Sequence, residues 1–176
     1  MTKVMGSGKT FLDENDEDVL EFLTITADIA GNEEYQKLKH FIHHHSTTRY
    51  QHCLNVAWYT YYWTKKLGLN YRSAARGAML HDFYLYEGHI PPKGSKMRHS
   101  ELHPRIALEN TRKYFKTDPV MEDVIVHHMW PNAKDRPLTK EGYIITIADK
   151  YCASIELLGK PLYTKQVLQL ILTAPR

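Results

Sequence analysis

The stretch Ala78-Met79-Leu80-His81-Asp82-Phe83 carries the most information about the fold of this chain. It places a histidine and an aspartate side by side at the end of a short apolar run. Burying such polar groups costs about 2–7 kcal/mol each unless another interaction compensates. A metal ion would compensate both, because imidazole supplies a nitrogen lone pair and a carboxylate can bridge two cations. The pair occurs by chance in many chains, so its meaning depends on what else this sequence supplies.

The composition is typical of one globular domain. The chain has 176 residues, of which 43% are hydrophobic and 24% are charged, so it can bury a core. The net charge is only +3, and no Lys/Arg cluster adds to it, which argues against a nucleic acid polymer as partner. No apolar run is long enough to span a membrane, and the N-terminus lacks a signal-peptide pattern. Because Cys53 and Cys152 lie in helix-like runs, we expect a reducing, cytoplasmic location.

Apolar side chains recur at helical spacing along most of the chain, and no segment alternates as a strand does. Residues 1–18 are polar and predict a loose lead-in, although residues 6–10 resemble part of a phosphate-binding loop without its first glycine. We therefore predict that residues 19–176 form a single all-α domain, a helical bundle. The predicted helices cover residues 19–30, 33–44, 49–67, 71–83, 104–115, 119–128, 139–158 and 164–172, with loops at 87–98 and 131–137.

Histidines and aspartates occur on successive predicted helices. A single helical histidine usually packs in the core or lies at the surface, but a series on several helices can converge when the helices form a bundle. Helical metal sites are built in this way. Because Pro104 is favoured at the first helical position, we expect His103 at a helix N-terminus. The candidate metal ligands are His52, His81, Asp82, His103, His127, His128 and Asp149.

The order His … His-Asp … Asp resembles that of the HD superfamily of metal-dependent phosphohydrolases. Histidines between Asp82 and Asp149 resemble those of its dinuclear members. The contexts Leu80-His81-Asp82, His103-Pro104 and Ile147-Ala148-Asp149-Lys150 also agree. The resemblance extends over about residues 49–156 and implies a bundle of HD-domain type.

The resemblance also implies a function. A hydroxide that bridges two divalent transition metals would attack a phosphoester of a nucleotide or related small substrate, with His81 and Asp82 as catalytic residues. Nitrogen and carboxylate ligands suit Fe, Mn, Co, Ni or Zn without selecting one of them. One metal would be held by His52, His81, Asp82 and Asp149. The other would be held by Asp82, His103 and His127, with His128 either as a further ligand or as a residue that supports one.

The sequence departs from the HD-GYP branch, which hydrolyses cyclic dinucleotides. That branch follows its His-Asp pair with Gly-Lys, where this chain has Tyr84-Leu85. Its Gly-Tyr-Pro segment is replaced by Met129-Trp130-Pro131. Hydrolysis of cyclic dinucleotides is therefore not implied.

Basic and aromatic side chains near the motif are candidates for substrate contact. Guanidinium groups bind phosphate in bidentate fashion, and an indole could stack on a base or sugar. The loop at 87–98 could close over substrate, although a solvated basic loop is an equal alternative. We assign no ligand to His43, His44 or His45, because three successive helical side chains point in different directions. The candidate substrate residues are Arg49, Lys93, Lys96, Arg98, His99 and Trp130.

Two other functions are compatible with the same residues. Some HD proteins are mixed-valent di-iron oxygenases, and these ligands would permit that reaction. The chain could also be a non-catalytic module that binds a metal or a nucleotide. Aromatic rings on the N-terminal helices could form the contact face of a homodimer.

Overall fold

Seven α-helices and one short β-ladder make up the described part of the chain. The computed structural model describes residues 17–44, 47–88, 91 and 93–157. The fold is all-α, which confirms the prediction from hydrophobic periodicity. The predicted helix at 164–172 and most of the polar lead-in lie outside the described residues. The helices are α1 (Glu17–Ala30), α2 (Glu33–Gln36), α3 (Arg49–Lys66), α4 (Tyr71–Leu80), α5 (His99–Tyr114), α6 (Pro119–His127) and α7 (Lys140–Leu157), with a 3-10 turn at Lys37–His40 and antiparallel strands β1 (Ile42–His44) and β2 (Thr47–Thr48).

Helix α3 is the centre of the bundle. It packs against α4 on one side and α7 on another, and nearly all of its side chains before Tyr62 are buried. Its aromatic residues form edge contacts with neighbouring helices, as in the pair Phe22–Trp58, whose ring centroids are 5.3 Å apart. The Thr48 hydroxyl accepts a hydrogen bond from Gln51 N at 3.2 Å and caps the helix. A helix that is apolar on several sides is buried, as the aromatic run indicated.

Helices α4 and α6 approach closely because α4 carries small residues. A Cβ atom added to Gly77 would lie 2.8 Å from Val124 Cγ1 and 3.1 Å from the Met121 carbonyl oxygen. No real Cβ tolerates the first distance without a shift of its neighbour. The close packing places the C-terminal ends of α4 and α6, which carry His81 and His128, beside each other.

The predicted helix over residues 33–44 ends earlier than expected. It stops after the 3-10 turn, and Phe41 is extended with φ −100° and ψ 120°. The chain then reverses through β1 and β2, and Arg49 N donates to the Phe41 carbonyl at 2.8 Å. Antiparallel pairing between the two strands, as in Ile42 with Thr48, replaces the helical hydrogen bonds. His43 is therefore a strand residue, which local propensity did not indicate.

Helix α5 begins five residues before the position that Pro104 suggested. Arg98 is extended and provides the cap position, and its carbonyl accepts from Glu101 N and Leu102 N, both at 3.0 Å. Pro104 is thus inside the helix, where it leaves one backbone carbonyl without its usual partner. His99 and His103 consequently lie one turn apart on the same helix face.

No helix in the described ranges is both long enough and apolar enough to cross a membrane. Cys53 and Cys152 are buried free thiols. The cytoplasmic location stays a prediction.

We expect an acidic residue at the junction of α1, α3 and α4 to make stability depend on pH. Glu21 contacts Lys65 Nζ at 2.5 Å and the hydroxyls of Tyr61 and Tyr71 at 2.9 Å each. The hydrogen bond from Lys65 is the largest cause that lowers the Glu21 pKa to about 2, from an ordinary value of about 4.5. This stabilisation is present above pH 4.5 and is lost as the pH falls toward 2.

The Glu21→Gln variant should therefore lose on the order of 1 kcal/mol of unfolding free energy at pH 7, and much less at pH 2.5. Urea unfolding of chelator-treated protein at both pH values measures the difference. The control is Glu109→Gln, at an exposed position of α5. An equal loss of unfolding free energy at both pH values would show that the ionised Glu21 carboxylate is not the source of this stabilisation.

Candidate metal centre

Seven side chains of types that can bind a metal meet at one end of the bundle. Their parent elements are β1, α3, the turn after α4, α5, the residue after α6, and α7. Five of the seven are buried, and the other two side chains are only 7% and 13% exposed. The residues are His43, His52, His81, Asp82, His103, His128 and Asp149.

The carboxylate of Asp82 faces histidines on both of its oxygens. Oδ1 lies 3.1 Å from His103 Nε2 and 3.7 Å from His128 Nε2. Oδ2 lies 3.5 Å from His43 Nε2 and 3.8 Å from His81 Nε2. Each oxygen therefore has its own pair of imidazoles.

A second carboxylate faces the same nitrogen of His81. Asp149 Oδ1 lies 3.9 Å from His81 Nε2 and 3.1 Å from His52 Nε2. His81 Nε2 thus faces both carboxylates, and His52 adjoins Asp149. The turn after α4 carries both His81 and Asp82. It therefore links the histidines around Asp82 to the pair formed by His52 and Asp149.

Backbone contacts determine which ring nitrogen of three histidines faces the centre. The Nδ1 atoms of His81, His103 and His128 each lie 2.7–2.8 Å from a carbonyl oxygen three or four residues earlier. A carbonyl only accepts, so Nδ1 carries a proton in each ring and donates it. The Nε2 atoms of these neutral rings therefore direct lone pairs into the cluster.

These lone pairs need a positive partner. The Nε2 atoms of His103 and His128 are 2.9 Å apart, an unfavourable distance for two lone pairs. Within the described residues, the buried atoms His81 Nε2 and Asp82 Oδ1 have no hydrogen-bond partner. Such orphaned buried acceptors carry a desolvation cost, which a cation would remove.

The spacing of the ligand atoms also fits metal ions. Two ligands about 2.1 Å from one ion, at angles of about 90–110°, lie about 3.0–3.4 Å apart. The contacts between Asp82 or Asp149 and their histidines span 3.1–3.9 Å. Imidazole nitrogen with carboxylate oxygen is a donor set for divalent transition metals. The residues present therefore fit a metal centre.

The protonation states agree with this interpretation. Burial lowers the pKa of His81, and burial with neighbouring His81 and His103 lowers the pKa of His128 to about 3. Burial opposes ionisation of Asp82 and Asp149, whereas positive charge on the surrounding histidines, when they are protonated, lowers both carboxyl pKa values below the ordinary range. Neutral imidazoles and ionised carboxylates are the forms that bind metals.

His52 differs because a buried carboxylate holds its second nitrogen. Its Nδ1 lies 2.9 Å from Glu156 Oε2, and Asn55 Nδ2 donates to Glu156 Oε1 at 2.7 Å. Despite burial, Glu156 and Asp149 raise the pKa of His52 to about 10. A metal at Nε2 would displace a proton, while Glu156 would keep the ring oriented.

The structure does not bring His127 into the cluster. Its Nδ1 lies 2.6 Å from Asp123 Oδ1, and Asp123 also accepts from the backbone N–H groups of Leu138 and Thr139 at 2.9 Å. In the described residues, the groups of metal-compatible side chains whose ligand atoms lie within 4.8 Å of one another include His128 and not His127. Through Asp123, His127 instead braces the chain before α7.

The predicted substrate residue Arg49 is fully buried. Its Nη1 and Nη2 donate to the carbonyls of Tyr84 and Tyr86 at 2.6 and 3.2 Å. Its guanidinium carbon lies 3.6 Å from the centroid of the Tyr84 ring. Arg49 therefore stabilises the segment after Asp82, in contrast to the phosphate contact that the sequence suggested.

The other predicted substrate residues occupy two kinds of position. Lys93 and Lys96 are exposed, and Arg98 pairs with Glu101 at 3.0 Å. Trp130 packs edge-on against Tyr143, with centroids 5.7 Å apart. His99 lies beside the ligands, because its ring stacks on His103 with centroids 4.4 Å apart. Substrate binding by these residues stays a prediction.

A cavity of about 210 Å³ opens beside the ligands. Its wall includes polar side chains that sequence reasoning did not assign to the site, among them Lys150, whose Nζ donates to the His128 carbonyl at 3.3 Å. The cavity is lined by His43, Asp82, His99, His103, His128, Met129, Asn132, Asp149, Lys150 and Ala153.

Sequence reasoning missed His43 and Glu156 for different reasons. Glu156 follows Asp149 by seven residues on α7, which is about two helical turns, so spacing could have revealed it. His43 depended on a strand that no local pattern indicated.

This buried cluster of histidines and carboxylates, which could hold a metal, is built mainly from helices and defines the domain as an all-α one with a candidate metal centre. The HD domain family model matches residues 49–154, and the chain therefore belongs to the HD-domain family. Proteins of this family are in general metal-dependent phosphohydrolases.

The chain is also similar to three curated proteins. These are Ribonuclease Y of Thermotoga petrophila, of Thermotoga sp. strain RQ2 and of Thermotoga maritima. Each is 27% identical over 103 residues, which cover 58% of this chain and 18% of the relative. The similarity thus concerns less than a fifth of each ribonuclease. No solved structure matches the chain.

Replacement of Glu156 should weaken metal binding without removing a ligand. We expect Glu156→Ala to lower metal affinity by about 10–100-fold, because His52 loses the carboxylate that orients it. Glu156→Gln should lose less, since an amide oxygen still accepts a hydrogen bond. Competition with a chelator measures the affinity, and Ser154→Ala on the same helix is the control. Equal affinity in all four proteins would show that the Glu156 contact is dispensable.

The two successive histidines should behave differently when replaced. His128→Ala should lower the metal content per chain, because it removes a nitrogen that faces Asp82. His127→Ala should keep the metal content and instead lower the melting temperature, because it removes a contact of buried Asp123. Elemental analysis and thermal unfolding of both variants test this. Loss of metal from His127→Ala but not from His128→Ala would instead support His127 as a ligand, as the sequence suggested.

Proposed function

We propose that this protein hydrolyses a phosphoester of a nucleotide or related small substrate at a centre of two divalent transition metals. The observation that carries the proposal is the division of histidines between the two oxygens of Asp82. A bridging carboxylate needs one oxygen toward each metal. Oδ1 faces His103 and His128, and Oδ2 faces His81 and His43.

The remaining ligands complete two sets. Asp149 and His52 adjoin His81, so they belong with the Oδ2 side of Asp82. The Oδ1 side has His103 and His128, with the cavity open beside them. When bound, two metals would lower the pKa of a water molecule and neutralise charge on phosphoryl oxygens.

The protein itself contributes orientation and a small, partly polar space. Backbone carbonyls hold the tautomers of His81, His103 and His128, so the ligands need little rearrangement. Asn132 and Lys150 line the cavity and could meet the oxygens of a phosphoryl group. The limited volume favours a substrate whose phosphoryl end enters while the remainder stays outside.

Phosphoester hydrolysis is compatible with either a small phosphorylated molecule or an RNA polymer as substrate. The relatives are named ribonucleases, and cleavage of RNA is also hydrolysis of a phosphoester. The small cavity and the net charge of +3 favour a small phosphorylated molecule over a polymer. A substrate panel should therefore contain mononucleotides, dinucleotides, sugar phosphates and a short single-stranded RNA.

Hydrolysis of one member of this panel is expected with Mn, Co, Ni, Fe or Zn, under anaerobic conditions as well as in air. Asp82→Ala should abolish turnover with the fold retained, because both metal sites lose their shared carboxylate. Product analysis by chromatography is the measurement, circular dichroism checks the fold, and Asp135→Ala at an exposed position is the control.

Two results would contradict the proposal. Oxygen consumption with an iron-loaded protein and no anaerobic turnover would favour the oxygenase alternative. Metal binding without turnover of any member of the panel would favour a binding module.

A further inference from the structure

We propose that His43, on the hairpin that precedes the HD-matched region, is an additional metal ligand. It would join His52, His81, Asp82 and Asp149 on the Oδ2 side of the bridging carboxylate. The inference rests on the proposed metal centre, although it does not depend on hydrolysis. The family model begins at residue 49, so this ligand would come from outside the matched segment.

The position of the His43 ring supports the assignment. Its Nε2 lies 3.5 Å from Asp82 Oδ2, and its ring centroid lies 4.3 Å from that of His52. His43, His52 and Asp82 each offer a ligand atom, and these atoms all lie within 4.8 Å of one another. This spacing permits a single ion to contact all three.

The hairpin explains how His43 reaches the centre. Side chains alternate between the two faces of a strand, so Ile42 and His43 point in opposite directions. Ile42 is 55% exposed, whereas the His43 side chain is 7% exposed and lines the cavity. Pairing of Ile42 with Thr48, next to the start of α3, holds the strand near His52. The antiparallel register therefore directs His43 toward Asp82.

A purely structural role explains these observations less well. A histidine that only fills space has no need to direct Nε2 at a carboxylate already surrounded by other imidazoles. The His43 and His52 rings are tilted by 30° with centroids 4.3 Å apart, and burying two imidazoles beside carboxylates costs desolvation energy that a shared cation would offset. An exposed histidine nearby, His40, provides a matched comparison because it lies outside the cluster.

The first experiment compares metal binding by wild type, His43→Gln and His40→Gln. Chelator competition with Co²⁺ should show that His43→Gln lowers the affinity of one site by at least about tenfold, with the second site less affected. The His40→Gln protein should match wild type. Equal binding by all three proteins would overturn the role of His43. Absence of metal binding in wild type itself would instead overturn the proposed metal centre.

A second variant gives a positive spectroscopic signal. In His43→Cys loaded with Co²⁺, a ligating sulfur should produce a thiolate-to-cobalt charge-transfer band in the near ultraviolet. Wild type has buried Cys53 and Cys152 and should lack the band, which makes it the control. Circular dichroism confirms that the variant is folded. A folded, cobalt-loaded His43→Cys protein without the band would also overturn the proposal.

Discussion

The buried carboxylate of Asp82 is the constraint on which the site depends. Four imidazole nitrogens lie within 3.1–3.8 Å of its two oxygens, and they come from β1, the turn after α4, α5 and the end of α6. An isolated ionised carboxylate is very costly to bury, so these elements must meet around it in one arrangement. The requirement for compensating charge therefore connects the packing of the bundle to the chemistry of its centre.

Arg49 shows how the fold holds that carboxylate in place. It begins α3, three residues before His52, and its guanidinium binds the carbonyls of Tyr84 and Tyr86 just beyond Asp82. One buried cation therefore links the start of α3 to the segment after the turn. A basic residue beside a phosphohydrolase motif suggests substrate binding, but full burial and two backbone carbonyls give it a structural role here.

The helical part of the structure was predictable because its apolar period of 3.6 residues is local information. The sequence likewise located His52 and Asp149 in the right helices, and spacing could have added Glu156; His81 and Asp82 were expected inside a helix to residue 83 but lie in the turn after α4, which ends at Leu80. His43 was not predictable, because its strand exists through pairing with Thr47 and Thr48, which no alternating pattern indicated. The choice between His127 and His128 required the helix rotation, which periodicity gives only to within a residue or two. The start of α5 was predicted wrongly because Pro104, a residue type favoured at the first helical position, lies in the second turn of this helix.

The helix ends explain why two ligands stand where they do. His81 and His128 each follow the last residue of a helix, α4 and α6, where carbonyl groups lack partners within the helix. The imidazole Nδ1 of each donates to such a carbonyl, at 2.7 and 2.8 Å. The same contact caps the helix and fixes the tautomer, so Nε2 can only face the centre. At these two positions one imidazole therefore both caps a helix and offers a nitrogen to the centre, whereas His103 makes the same kind of Nδ1 contact to the His99 carbonyl from inside α5.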